Sequence, residues 1–277
     1  MRKYLGWDAK SFSLAQTYLN YETDGIISQD NIDDARDFAG GADLLIFQDY
    51  LFRVPGFRLD KIAKPRNTII YGLGSLMRDN LNAVMDYVKV GWTVAAPISD
   101  PTISRYIGGS PFEMVMIDER IHKLTENIKR NEKVTICHAP TKEKGAEVFM
   151  DAINNLDVEW LLIKGKRWED AIKLKATAHI LLDSLTDSSY GISILESLYM
   201  GQQCAGNISN WCYALNPDLP VTNTTLETMK TDIERMITSL NNQEEECNRQ
   251  EWAKKFLPKN KIIQWERFIK YTMEYHK

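Results

Sequence analysis

Along most of this chain, short apolar runs of strand length alternate with amphipathic stretches of helix length. That alternation constrains the fold more than any other feature. Strands joined through helical crossovers run parallel, and a parallel sheet needs cover on both faces. KYLGW reads as a short strand, followed by a polar turn over Asp8–Ser11 and a helix through LAQTYLNYE. ADLLIFQDYLF, NTIIYGL, WTVAAPIS and FEMVMID read as buried strands. MRDNLNAVMDYVKV reads as a helix with Leu81, Val84, Met85, Tyr87 and Val88 on one side. The polar segment ERIHKLTENIKRNEK then suits an inter-lobe linker. Beyond it come four more strand–loop–helix units. These are VTICHAP with a helix from Gly145, VEWLLIKG with WEDAIKLKA, HILLDSL with ISILESLYM, and LPVTNTT with LETMKTDIERMITSL; KIIQWERFIKYTMEY closes the chain as a long helix. The expectation is an α/β chain of two lobes with mostly parallel sheets, residues 1–128 and 129–258.

Composition narrows the function classes. At 277 residues and 44% hydrophobic content the chain can bury a sizeable core, and a net charge of -4 argues against a nucleic-acid binder overall. One basic stretch, LFRVPGFRLDKIAKPR, sets Arg53, Arg58, Lys61, Lys64 and Arg66 among apolar residues, with Asp60 the only acid. It reads either as a membrane-surface or polyanion patch or as a solvated loop around Pro55-Gly56. Cys137, Cys204, Cys212 and Cys247 form no CxxC pair and fit a reducing compartment. No run has transmembrane length, and MRKYLGWDAK lacks the apolar core of a signal peptide. A cytoplasmic chain is expected, with peripheral membrane contact through the basic stretch as an option.

Two junctions in the second lobe carry the chemistry. After VTICHAP comes Thr141-Lys142-Glu143-Lys144-Gly145 at a strand-to-helix passage, where a helix N-terminus attracts anions and two lysines suit a diphosphate. The plain alternative is a solvated loop. After HILLDSL, Tyr190 precedes Gly191, which lets a ligand approach the backbone, and the amides of Ile192 and Ser193 open the next helix. Glu196, one turn in, has the reach to accept hydrogen bonds from a ribose diol, or else only complements the helix dipole. Asp183 ends a strand, as a ligand contact or a turn residue. Lys164 and Gly165 follow WLLI, as a ligand contact or a simple turn between strand and helix. Asp8, Lys10, Ser11, Gly74 and Ser75 lie in loops beyond first-lobe strands and suit an acceptor or phosphate. No His and carboxylate spacing suggests a metal site.

YGISILESLYMGQQCAG resembles the donor-site signature of retaining GT-B glycosyltransferases, Glu-Gly-Phe-Gly, four residues, Glu-Ala, then Gly-x-Pro; Gly191, Glu196 and Gly201 match it. VTICHAPTKEKGAEVFMDAINNL and LPVTNTTLETMKTDIERMI resemble the flanking parts of that donor lobe, so the likeness spans most of residues 133–240. PRNTIIYGLGSLMRDN resembles the family's His-Gly-Ser-Asp segment more distantly. The family's first acid falls on Ser188, beside Asp187, and its acceptor-side histidine on Leu73.

The resemblance implies two Rossmann-like lobes, with the closing helix (259–277) crossing back to the first. It implies transfer of a sugar from a nucleoside diphosphate, with retention and without a metal or other cofactor. The donor would be a UDP-sugar, or a GDP-sugar. Lys142, Lys144 and the helix start at Gly191–Ser193 would stabilise the departing diphosphate, with Lys144 and Glu196 as the catalytic pair and Glu196 also placing the ribose. The acceptor would be a glycan or lipid-linked sugar, with a modified base in DNA as the alternative. A non-catalytic nucleotide-sugar-binding subunit is the reading that Ser188 and Leu73 motivate.

Overall fold

The structure, a computed structural model, describes residues 1–13, 23–28, 30–48, 67–71, 81–89, 91–95, 115–140, 146–186 and 189–275. The chain divides into two compact units, Met1–Met114 with Lys261–Lys277, and Val115–Asn260.

In the first unit, α1 (Arg2–Leu5) is followed by β1 (Phe12–Ser13), β2 (Gly25–Ile26), α2 (Ile32–Gly41), β3 (Leu45–Gln48), β4 (Thr68–Tyr71), α3 (Leu81–Lys89) and β5 (Thr93–Ala95). β1 and β2 pair in parallel, and β3-β4-β5 form a three-stranded parallel sheet with Leu45 opposite Thr68 and Ile69 opposite Thr93. Ile69 and Ile70 are fully buried, as a doubly covered strand requires. KYLGW forms a helical turn rather than a strand. The Gly6 amide bonds to the Arg2 carbonyl, and its φ of 66° makes the left-handed cap that ends the turn. β2 and α2 arise in a stretch whose polarity hid them. Ala35 is the buried contact of α2, packed by Ile27, Ile32, Ala39 and Phe47.

In the second unit, α4 (Arg120–Thr125), β6 (Thr135–His138), α5 (Ala146–Ile153), β7 (Glu159–Leu162), α6 (Trp168–Ala176), β8 (Ile180–Leu182) and α7 (Ile192–Tyr199) come first. β9 (Gln203–Gly206), α8 (Asn210–Leu215), β10 (Thr222–Asn223), α9 (Met229–Thr238) and α10 (Gln243–Lys254) follow. α11 (Pro258–Tyr275) runs on into the first unit, where Trp265 meets Tyr71 edge-on at 5.3 Å between ring centroids. Among the described residues of the second unit the sheet has the order β10-β9-β8-β6-β7, all parallel. Alternation along the strands feeds two cores. Ile136, Ile180, Leu182 and Ala205 pack with α5 and α9, through Phe149, Ile153, Met229 and Ile233. Cys137, Leu181 and Cys204 pack with α7 and α10, through Ile194, Leu198 and Trp252, and with Phe256 just beyond α10.

The described end of FEMVMID is not a strand. Ile117 is 1% exposed, and its amide bonds to the carbonyl of Phe256, so this segment is tied to the turn after α10. Ile121, fully buried on α4, likewise belongs to the second unit, so its first residues include the polar segment read as a linker.

Gly201 closes α7 with φ of 82°, and a Cβ there would stand 2.7 Å from Glu246 Oε1. Glu246 can yield only by giving up its pair with Arg130, which holds both its oxygens at 2.8 and 3.1 Å and also donates to the Met200 carbonyl. Gly201→Ala is therefore expected to cost about 2–3 kcal/mol, from left-handed strain plus loss of the ion pair. An unchanged urea midpoint would contradict this. His179 offers a second check. Its Nδ1 accepts the Thr135 amide at 3.1 Å, and burial, helped by the charge of Arg130 and opposed by Glu246, holds its pKa below the ordinary value. The unfolded chain then binds more protons than the folded one as pH falls through about 6.5. Stability should drop across that window, and His179→Asn should flatten the drop in denaturation curves taken at stepped pH.

Candidate functional site

In the order β10-β9-β8-β6-β7 the chain reverses direction of winding between β6 and β8. The helices following these two strands lie on opposite faces, α5 on one and α7 on the other. This is the topological switch point, and ligands of open parallel sheets sit beyond the carboxyl ends of the strands that flank it. Here those ends are His138 and Asp183. His138 Nδ1 lies 2.7 Å from the Leu182 carbonyl, which ties the two strand ends together. Its ring stacks on Trp160 at 6.0 Å and meets Phe149 at 5.0 Å, and the residue is fully buried. It is a strut of the sheet edge.

The loop from Asp183 to Gly191 is held at several points. The Asp183 amide bonds to the Ala205 carbonyl, and the Asn207 side chain donates to the Leu185 carbonyl at 3.0 Å. Ser184 Oγ accepts the Thr186 amide. Tyr190 is 2% exposed; its ring packs edge-on against Trp252 and Phe256, and its hydroxyl accepts from Asn216 at 2.9 Å. Tyr190 therefore anchors the start of α7 through the core. Gly191 is the N-cap, with an extended backbone (φ −90°, ψ 177°), and a Cβ there would meet open space. Its carbonyl takes the amides of Ile194 and Leu195, so the amides of Ile192 and Ser193 precede the first helical hydrogen bond. Ile192 is exposed and Ser193 half-buried. An anion has both charge and room at this helix start.

Glu196 has a defined setting. It is 6% exposed, with Oε1 taking the indole N–H of Trp168 at 2.8 Å and Oε2 the ammonium of Lys175 at 2.6 Å. Lys175 is 2% exposed and also donates to the Ser193 carbonyl and hydroxyl at 3.3 Å each. The ammonium thus lies under the first turn of α7 and joins α6 to it. Sequence reasoning missed Lys175 and Trp168. The signal existed: Trp168, Ile172, Lys175 and Ala176 are the buried stripe of α6, with a lysine in a core register. Asp183 is 6% exposed at the end of β8, and no side-chain or backbone group among the described residues donates to its carboxylate. Lys164 and Gly165 are exposed in the β7–α6 turn, where Gly165 has φ of 66°.

In the first unit, Asp8 and Lys10 are exposed, with the Lys10 ammonium 4.4 Å from the Phe38 ring centroid. Ser11 is engaged by Asp24, which accepts its amide at 2.7 Å and pairs with Arg2 at 2.7 Å. Thr141, Lys142, Lys144, Gly74, Ser75, Asp187, Ser188 and Leu73, and the basic residues Arg53, Arg58, Lys61, Lys64 and Arg66, lie outside the described residues. Among the described residues no group of three or more His, Cys, Asp or Glu comes together, and no helix is long and apolar enough to cross a membrane.

No protein-family model and no curated protein matches the chain. Solved structures do. Sucrose-phosphate synthase from Thermosynechococcus elongatus superposes with a TM-score of 0.56 at 9% identity, over 92% of this chain and 81% of that one. WaaG, a glycosyltransferase involved in lipopolysaccharide biosynthesis, matches at 0.47 and 11% identity, over 81% and 76%. SnogD, a glycosyltransferase from Streptomyces nogalater, matches at 0.41 and 12% identity, over 86% and 76%. The first likeness is the one that bears weight, and it speaks for the fold: a Rossmann-like α/β chain of GT-B type.

The Lys175–Glu196 pair should be worth most when one partner is lost. Lys175→Met leaves a carboxylate buried without its cation, and such breaks cost about 3–5 kcal/mol. Lys175→Met combined with Glu196→Gln removes both charges, keeps an acceptor for Trp168, and should recover much of that loss. Urea denaturation of the single and double variants measures this directly. Single variants as stable as the native chain would show that the pair does not hold α6 to α7.

Proposed function

We propose that the protein is a glycosyltransferase that moves a sugar from a nucleoside diphosphate to an acceptor hydroxyl with retention of configuration. The observation that carries the reading is the helix start at Gly191, open to a ligand and set beside the switch point of a parallel sheet in a GT-B type fold. The diphosphate would lie on the amides of Ile192 and Ser193. Lys142 and Lys144, just after Pro140 in sequence, would add cationic charge, with Lys144 acting on the leaving group. As the bond from the sugar's anomeric carbon to the diphosphate breaks, this field stabilises the charge that develops on the leaving oxygen. The acceptor oxygen bonds to the same face of that carbon, and its proton passes to the departing phosphate. No strong protein base is needed.

Glu196 serves this chemistry from beneath. With Trp168 and Lys175 on its oxygens, it fixes the turn whose amides meet the phosphate. Lys164 and Gly165 would lie near the nucleobase, and Asp8, Lys10, Ser11, Gly74 and Ser75 on the acceptor side. The acceptor class is a glycan or a lipid-linked sugar, and the donor a UDP-sugar or GDP-sugar. A second reading, nucleotide-sugar binding without turnover, draws on the engagement of both Glu196 oxygens.

A thermal-shift series with UDP-, GDP-, ADP-, CDP- and TDP-sugars tests the reading. A ligand at about a hundred times its Kd should stabilise the fold by roughly 2.7 kcal/mol. Gly191→Thr supplies the control. Threonine is a good N-cap and its Cβ meets no atom within 4 Å there, so the free protein should keep its midpoint to within about 0.5 kcal/mol. The added side chain fills the ligand's space, so the shift should vanish. Absence of any shift in the native chain would end the glycosyltransferase reading. A shift without transfer or hydrolysis of the donor would select the non-catalytic one.

A further inference from the structure

Two carboxylates follow β8 in the chain, Asp183 directly after the strand and Glu196 in α7, and the structure treats them oppositely. Glu196 is the one that the sequence marks for a sugar hydroxyl, yet its two oxygens are already bonded to Trp168 and Lys175. Asp183 is more than nine-tenths buried and receives no hydrogen bond from any described residue. Neither of its oxygens is among the fully enclosed side-chain atoms that lack a partner, so the carboxylate reaches the surface as an acceptor that no described residue engages.

The surroundings of Asp183 say what that use is. It ends β8, one of the two strands flanking the switch point. Alternation along β8 puts Asp183 on the same sheet face as Leu181, the face that α7 covers. Its neighbour across the ladder is Gly206 at the end of β9, where a Cβ would stand 3.7 Å from the Asp183 Cβ and 3.2 Å from the Ser184 carbonyl oxygen. Glycine at that point spares the Ser184 carbonyl a tight contact as the two strand ends pass. The Asp183 amide is fixed by Ala205 and the following turn by Asn207, so the acid is held in place by backbone and needs no side-chain partner.

We propose that Asp183, not Glu196, is the carboxylate that accepts hydrogen bonds from sugar hydroxyls of the bound nucleotide sugar. The inference rests on the donor site proposed above and makes Asp183 a positioning and specificity residue within it. The group recognised is a hydroxyl donor on a furanose or pyranose ring. The ribose and the transferred sugar both carry that chemistry, and an anion does not. A carboxylate would repel phosphate. The diphosphate therefore belongs on Ile192 and Ser193, and the hydroxylated ring on Asp183.

The experiment pairs a ligand-side deletion with Asp183→Asn. Calorimetric Kd values are taken for UDP-glucose, UDP and 2′-deoxy-UDP, and for GDP-mannose, GDP and 2′-deoxy-GDP. Thermal midpoints of both proteins are recorded without ligand. A hydrogen bond to a charged acceptor is worth roughly a ten- to hundredfold in affinity. The native chain should lose at least about tenfold on removal of the hydroxyl that Asp183 binds. The loss falls at the step from UDP to 2′-deoxy-UDP if that hydroxyl is on the ribose, and at the step from UDP-glucose to UDP if it is on the transferred sugar. Asp183→Asn should erase that step while its own midpoint stays level, because the variant keeps the side chain's shape and breaks no hydrogen bond to a described residue. A variant that keeps the native affinities and the native hydroxyl step would overturn the inference and leave the donor site standing. A midpoint that falls together with an unchanged hydroxyl step would assign Asp183 a structural role instead. A native chain that binds none of these nucleotides would overturn both proposals.

Discussion

The second unit depends on one buried ion pair. Lys175 and Glu196, each almost fully enclosed, join α6 to α7 through a 2.6 Å contact, and Trp168 occupies the remaining oxygen. Two opposite charges taken out of water hold their geometry tightly, because any displacement leaves one of them unsolvated and unpaired. Since the same ammonium also meets the carbonyl and hydroxyl of Ser193, the pair fixes the first turn of α7 as well as its middle. The opposite end of α7 is fixed with equal care. Gly201 turns the chain, Arg249 donates to the Gly201 carbonyl at 3.1 Å, and the Arg130–Glu246 pair stands where a side chain would go.

That arrangement changes the meaning of a sequence signature. Gly191, Glu196 and Gly201 read together as a ligand motif, yet the structure gives each a separate physical task. Gly191 leaves room at the helix start, Glu196 neutralises a lysine in the core, and Gly201 makes the turn that returns the chain to β9. A signature can persist because it builds a platform as well as because it touches a ligand. Among the described residues near the end of β8 and the start of α7, the amides of Ile192 and Ser193 and the carboxylate of Asp183 are without internal partners.

Some of this was legible and some was not, for identifiable reasons. The strands β6, β7, β8 and β9 announce themselves as β-branched or apolar runs, since both faces of a parallel sheet are covered. α2, α8 and α10 were passed over because their burial is narrow. α10 carries QEEECNRQEWAK and buries Arg249, Trp252 and Ala253, a stripe too polar to stand out. At the start of the chain KYLGW has strand-like composition, while the Gly6 cap favours one helical turn. Lys175 was overlooked because a lysine in a helix is ordinarily solvated, and its place in the buried stripe weighs only once a partner is known.

The sequence by itself determined the alternation of strands and helices, and from it a parallel α/β fold with a helix start at Gly191. Those follow from local rules, apolar periodicity and capping, which act over a few residues. Only the tertiary structure decided which carboxylate is spoken for. Glu196 lies 21 residues from Lys175 and 28 from Trp168, and Asp183 lies beside Gly206 across a strand boundary. Partnership over such separations is set by which elements pack together. The availability of a charged group is a property of that packing and not of the residue.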